Sequence, residues 1–463
     1  MASTMPLFQF AMPAAARREI RSTVLLAFPL VVGQLSSIFM NVIDTLLAGH
    51  HSAQTLAAVA VGSAVWSMAL LIIIGVLMAV PPSVSQLNGA SRRDEIGPLF
   101  RQALWLAALL GGALFALMRC SGWLLLAIGI DDSVRPEALR FLLAISWGAP
   151  ALAMYFCCRY VSEGVAWTLP TMLFGIAGLL LLAPLGYVLM FGAFGLPAMG
   201  AAGLGYATAA VLWLQVLGFL AYLAWSPRFA DLALLRGLDW PRWRPQWELL
   251  RLGLPMGVAI FMEGGLFVAT ALIIGTMGTV AVAAHQIAIN LASVTFMIPL
   301  GVGMATTVRV GHAVGRGDID GVRGAGRAGY TITLATQLLS ACVLLFGAGF
   351  IARLYTADAA VYTLAATLMV YAAAFQFSDG LQALSAGALR GLKDTRVPMF
   401  YTAFAYWVVG MPMGWWMGKV QGQGAEGMWW GLIVGLSMAA LLLTTRFWRL
   451  AGRGLDALPL RAA

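Results

Sequence analysis

Residues 56–79 read LAAVAVGSAVWSMALLIIIGVLMA, and residues 282–305 read VAAHQIAINLASVTFMIPLGVGMA. Each run carries no Asp, Glu, Lys or Arg and, as a helix, is long enough to cross about 30 Å of hydrocarbon. At an offset of 226 residues Gly75 falls on Gly301, and both runs end in Met-Ala. The same offset holds on either side. AFPLVVGQ (27–34) answers to GLPMGVAI (253–260), with Pro29 on Pro255, and SQLNGASRRDEI (85–96) to GHAVGRGDIDGV (311–322), with Gly89 on Gly315. Further on, EGVAWTLPTM and LKDTRVPMF pair Pro170 with Pro398, the offset having drifted to 228. Four matches in one order make the second half of the chain a restatement of the first.

Working outward, apolar runs of spanning length fall near 24–47, 56–80, 99–122, 137–157, 170–191 and 199–224, then near 250–275, 280–303, 326–349, 362–386, 398–417 and 428–448. The chain has 463 residues, 61% hydrophobic and 10% charged, against about 25% charged in a soluble domain. This predicts an all-α polytopic membrane protein, since strands of alternating polarity are absent from the sequence. The predicted division is a first lobe over 1–225, a linker over 226–248 and a second lobe over 249–463. Net charge is +9, but the arginines sit in short clusters between apolar runs and form no basic amphipathic surface, so nucleic acid is not an expected partner. With the amino terminus in the cytoplasm, 23 Lys and Arg lie inside and five outside (Arg119, Arg135, Arg140, Arg353, Lys419). That asymmetry predicts both termini inside and an even number of spans.

Six spans per half leave the two halves in the same orientation, related by an axis along the membrane normal with a cavity between them. A body of that kind rocks between two openings, which is transporter architecture. Three acids lie deep in the spans: Asp44, Glu263 and Asp379. An ionised carboxylate in hydrocarbon costs about 2.5–3.5 kcal/mol even on lenient scales. Gly33, Ser37, Asn41, Asp44 and Ala48 share one stripe of span one, and Gln376, Asp379, Gly380, Ala383 and Gly387 one stripe of span ten. Acids on polar stripes are expected to face a wet or protein-lined interior; a purely structural carboxylate, bonded to a neighbouring helix, is the bland alternative. The acids also break the repeat, because Ser37 and Thr270 stand at the equivalent positions of Glu263 and Asp44. A carboxyl removed from water disfavours its ionised form and exchanges protons nearer neutral pH, while hard oxygens could instead hold sodium. Either ion would compete with an organic cation for one negative site, which is the minimum physics of an antiporter.

The segments VIDTLLAG, LAAVAVGSAVW, MAVPPSVSQLNGASRRDEI, VAAHQIAINLAS, IPLGVGMATTVRVGHAVGRGD, GALRGLKDTRVPM, YWVVGMP and GMWWGLIVGL, in this order, resemble the multidrug and toxic compound extrusion (MATE) family in its NorM-type bacterial branch. The likeness runs from about residue 20 to 450. It implies two six-helix lobes in a V, and export of cationic drugs, dyes and toxins against inward protons or sodium across a bacterial inner membrane. By this resemblance Glu263 and Asp379 match the second-lobe acids of the ion and substrate site, with Na+ at that pair as one option. Asp44 matches the first-lobe acid, Ser63 and Gln286 fall where bound drug is touched, and Pro29 marks the bend of span one. The likeness departs at two features: Phe375 stands where relatives carry a tyrosine near the cation, and Leu182 and Gly186 flank Pro184 where asparagines are common. Fewer oxygen ligands tilt the expectation toward protons. A monomer without cofactor is expected. The rival reading is a flippase for lipid-linked precursors, which calls for a basic cavity.

Smaller signals add little. Met40, Phe261, Met262, Phe267, Phe296, Met297, Phe375 and Phe377 could line an adaptable cavity for flat cations or simply pack. His285 could relay protons or serve polar packing; His50 and His51 are expected in an exterior loop. The GRGD turn at 315–318 shows no phosphate-binding context. Cys120, Cys157, Cys158 and Cys342, without ligand-like spacing, are expected to be buried thiols. No Walker motif, triad or metal cluster is present in the sequence, so an ATP-driven pump or a membrane enzyme is not supported.

Overall fold

The computed structural model describes residues 14–237 and 239–454, and every regular element among them is helical. In chain order the long helices are α1 (Ala14–His51), α2 (Ala53–Gly89), α3 (Arg93–Arg119), α4 (Arg135–Gly164), α5 (Leu169–Phe191), α6 (Ala201–Trp225), α7 (Trp243–Gly275), α8 (Thr279–Gly315), α9 (Ile319–Tyr355), α10 (Ala359–Gly391), α11 (396–420) and α12 (Gly424–Gly452). Eleven of them, all but α11, are long and apolar enough to cross a membrane. Within α11, α-helical turns alternate with π-helical ones at Phe404–Gly410 and Trp416–Val420. Its glycines explain its partner. Gly410, Gly414 and Gly418 face Gly435, Gly431 and Gly427 of α12 in antiparallel register, so near that no Cβ would fit between most of the pairs. Small residues at four-residue spacing let helix backbones touch in lipid, where burial of apolar surface gives no net drive.

The repeat seen in the sequence is a two-fold in space. Helix α7 packs on α2, and its counterpart α1 packs on α8. A Cβ at Gly75 would strike the backbone of Gly257, and one at Gly301 would strike Val31; each residue of the second pair is its partner in the first moved by 226. Likewise Gly89 abuts the His312 carbonyl and Gly315 the Gln86 carbonyl. All these approaches lie in the halves of the helices nearest the arginine-rich loops. The two lobes therefore meet at that end, and Gln86 donates across the seam to the Gly391 carbonyl at 2.9 Å. Pro29 lies inside the uninterrupted α1, buried at this seam.

The connection from α6 to α7 is strapped onto α3. Arg101 donates to the carbonyls of Ala233 and Leu234 and pairs with Asp239 at 2.7 Å. Buried Gln102 donates to the Trp240 carbonyl at 2.9 Å and accepts from the Arg242 N–H at 2.8 Å, and Trp105 donates to the Asp239 carbonyl. Gln102→Leu would leave both backbone groups unpaired, a local loss of about 1–3 kcal/mol. Trypsin is then expected to cut after Arg236 or Arg242 at least about fivefold faster in a time course on the detergent-solubilised protein. Arg244 precedes Pro245 and is a poor site in either form.

Three expectations are corrected. Cys157 and Cys158 are buried, but Cys120, in the turn that ends α3, and Cys342 of α9 are exposed. His50 and His51 end α1 instead of lying in a loop, and His51 contacts Thr55 Oγ1 at 3.0 Å. The deep charges are more numerous than three, because α4 and α10 run to Gly164 and Gly391. That extension brings Arg159, Glu163 and Arg390 inside the lobes. Arg159 donates to Glu163 Oε1 at 2.6 Å and to Gln34 at 2.8 Å, with Thr171 donating to Glu163 at 3.1 Å. Their side chains are 4% and 1% exposed. The network bolts α1, α4 and α5 of the first lobe together.

Candidate functional site

In the second lobe, Glu263 sits near the middle of α7, between apolar neighbours Phe261 and Leu266. It is held by Gln382, one turn past Asp379 on α10, whose Nε2 lies 3.5 Å from Glu263 Oε2. Asp379 is 4% exposed. Its stripe of α10 is packed: Gln376 accepts from Ser340 of α9 at 2.7 Å, the Gln376 carbonyl accepts from Gln337 at 2.6 Å, and Gly380 and Gly387 press against Gln337 and the Gly303 backbone. Protein therefore lines the Asp379 stripe. Glu263 and Asp379 are close enough to repel one another, and the Tyr406 hydroxyl of α11 lies in the field of both.

The unpaired polar atoms mark what this lobe could hold. Asp379 Oδ1, Gln382 Oε1, Tyr406 Oη, His285 Nδ1 and Trp429 Nε1 are all buried without a hydrogen-bond partner among the described residues. A buried polar atom left unpaired costs about 1–3 kcal/mol; with Thr333 Oγ1 and Arg390 Nε the described part of this lobe holds seven, which points to an occupant that pairs some of them. A proton or a small cation bound by Asp379, Glu263 and Gln382 oxygens would do so. Among the described residues no three His, Cys, Asp or Glu side chains gather as ligands for a tightly held metal. Arg390 of α10 sits toward the seam, its guanidinium 3.5 Å from Met78 Sδ, within the field of Glu263.

The first lobe holds a separate polar hollow. Asp44 is 9% exposed, with Oδ1 unpartnered. It lines a half-open cavity of about 210 Å³ with Asn41, Thr45, Ser63 and Ser67, where Leu56 and Val59 supply apolar lining. The structure thus brings Asp44 and Ser63 to one place, and Glu263 and Asp379 to another. Gln286 is elsewhere, on an exposed face of α8 with Asn290 and Ser293, and its amide lies 3.4 Å from Asn290 Oδ1. Phe375 is 2% exposed, its ring edge-on to Phe267 and Trp429 at 6.0 and 5.6 Å between centroids. It presents almost no surface to a drug. His285 lies edge-on to Trp429 at 5.8 Å.

Two residues of the second-lobe site escape sequence reading. Tyr406 is an aromatic in an apolar run, and the π turn that contains it shifts which face it presents; only its place at the head of YWVVGMP marked it. Gln382 lies one step off the stripe that carries Asp379, yet at i+3 it reaches Glu263.

Comparison with known proteins agrees with this fold. The sequence profile of the MatE family matches residues 29–188 and 255–416, two stretches offset by the repeat itself. A probable multidrug resistance protein NorM of Xanthomonas campestris pv. campestris is 54% identical over 94% of this chain and 96% of its own length. Multidrug resistance protein PmpM of Pseudomonas aeruginosa is 41% identical over 94% and 93%. Among solved structures, an outward-facing multidrug resistance MATE family transporter of the MOP superfamily shares the fold at TM-score 0.86 and 18% identity, covering 95% of this chain and 97% of that one. The eukaryotic MATE transporter AtDTX14 does so at 0.85 and 20%, covering 96% and 100%. With both halves matched and relatives this similar along nearly their whole length, the chain belongs to the MatE family.

Proposed function

We propose that this protein exports lipophilic cationic drugs and dyes across the bacterial inner membrane in exchange for inward protons, with sodium as the alternative ion. In this reading the arginine-rich ends face the cytoplasm, which the excess of Lys and Arg on that side supports. The observation that carries it is the set of buried carboxyl oxygens without partners: Asp379 Oδ1 beside Glu263 in one lobe and Asp44 Oδ1 in the other. A cation entering either site neutralises charge that hydrocarbon penalises. Drug and ion then exclude one another, and a lobe motion that turns the sites from one side to the other exchanges them. A flippase for lipid-linked diphosphates calls for a basic cavity, whereas the hollow at Asp44 and the oxygens around Asp379 are acidic; of the deep arginines, Arg159 is paired with Glu163 and Arg390 lies toward the seam.

The test is ethidium transport in proteoliposomes with proton and sodium gradients imposed one at a time. An outward-directed ethidium flux driven by the proton gradient, with the sodium gradient giving less than a tenth of it, is expected. Flux with neither gradient effective removes the antiport reading; flux with sodium alone keeps antiport and reverses the ion.

A further inference from the structure

We propose that the connection between α6 and α7 forms a binding site for the headgroup of an anionic phospholipid, made by Arg242, Arg244 and Arg251 with Trp240, Trp243 and Trp247. It rests on the reading above that the arginine-rich ends face the cytoplasm, which puts the lipid in the inner leaflet.

Trp240, Trp243 and Trp247 are 80%, 68% and 51% exposed. Trp243 and Trp247 stack at 5.4 Å between centroids and 20° between planes, one turn apart at the start of α7. Helix α7 has 33 residues, hence about 50 Å of length, against about 40–45 Å for a bilayer with its headgroups. With ordinary tilt its first turn lies at headgroup depth, where the amphipathic tryptophan ring is most stable. Arg244, Trp247 and Arg251 fall on one face of the helix by their spacing.

The patch carries a net positive charge that no ion pair takes up. Arg242, Arg244 and Arg251 are exposed and make no ion pair among the described residues. Of the nearby acids, Asp239 is bound by Arg101, and the exposed Glu248, one turn after Arg244 and one turn before Arg251, offsets one of the three charges and leaves the patch net positive. Guanidinium groups recognise phosphate in bidentate fashion, and each basic residue near an anionic leaflet contributes roughly a fivefold gain in binding. The site is also held in place, because Gln102 brackets Pro241 from both sides.

The test uses the purified full-length protein in mild detergent, with phosphatidylglycerol or phosphatidylcholine added and bound lipid counted by native mass spectrometry. Phosphatidylglycerol is expected to bind at least about tenfold tighter than phosphatidylcholine. The double substitution Arg242→Gln and Arg244→Gln is expected to weaken it about 25-fold, and Arg353→Gln, at the opposite helix ends, to leave it unchanged. The two arginine side chains carry no bonds of their own, so the double variant folds; its elution profile checks this. Equal binding of the two lipids, or a double variant that binds like the wild type, overturns the proposal. So does competition by soluble glycerol phosphate at the same concentration, which would make this a site for free phosphate. The readout is independent of transport: lipid selectivity without drug export would leave this site standing and remove the antiport reading, and the converse would do the opposite.

Discussion

Glu263→Gln and Asp379→Asn are each expected to cut ethidium or norfloxacin export at least about tenfold, with the protein still folded and inserted. The substitutions keep size and hydrogen-bonding capacity but remove the charge. A hydrogen bond or contact to an ionised group is worth about 1.5–3 kcal/mol more than none, which is roughly 10- to 150-fold in occupancy of a cation site. Stability is expected to hold or rise, since a neutral amide in this interior avoids the cost of a buried charge. The thermal midpoint in detergent separates lost function from lost fold. Tyr406→Phe removes one hydroxyl that no described residue engages, so a smaller loss of about three- to tenfold is expected if that hydroxyl pairs with the bound ion. Asp44→Asn is the informative contrast, because its cavity lies in the other lobe. A loss like that of Glu263→Gln makes both lobes necessary to exchange. Full export rates in both Glu263→Gln and Asp379→Asn would remove the second-lobe acids from the mechanism.

The parts of the molecule that sequence discloses are those set by a single strong term. Apolar length fixes the helices, so α5 (Leu169–Phe191) and α7 (Trp243–Gly275) lie within a few residues of the stretches read at 170–191 and 250–275, apart from the seven-residue overhang that starts α7. The repeat is legible for the same reason: Gly75 and Gly301 are glycines because two backbones touch there, and the symmetric seam demands it twice. An acid inside an apolar run is equally visible, which is how Asp44, Glu263 and Asp379 stand out. Pairing is another matter. Gly410, Gly414 and Gly418 show four-residue spacing in the sequence, but only packing reveals that they face Gly435, Gly431 and Gly427. Tyr406 hides because a π turn alters the phase by which a helical face is read. Arg159 and Glu163 hide for an electrostatic reason. An Arg and a Glu four residues apart at the end of a hydrophobic run look like a solvated loop, and their mutual neutralisation is what lets the helix carry them inside.

That pair yields the second large effect. Arg159→Met is expected to destabilise the first lobe by about 3–5 kcal/mol, because it leaves Glu163 as an uncompensated charge in a site that is nearly closed to solvent. Gln34 and Thr171 would remain to satisfy the carboxylate, but Gln34 presents its oxygen to Arg159 and would have to turn its amide to donate. For a lobe of this size the apparent melting midpoint should fall by on the order of 10 °C. Glu163→Gln should cost less than Arg159→Met, since a guanidinium with Gln34 still bonded keeps one partner. The double substitution Arg159→Met and Glu163→Leu removes both charges and fills similar volume, so it should recover most of the loss and could match the wild type. Recovery in the double variant is the signature of coupling between the two residues. Thermal unfolding of the four proteins by intrinsic tryptophan fluorescence, at one heating rate because such unfolding is often irreversible, measures it. A double variant no more stable than Arg159→Met alone would mean that the loss comes from packing around α4, and that the buried pair does not hold α1, α4 and α5 together.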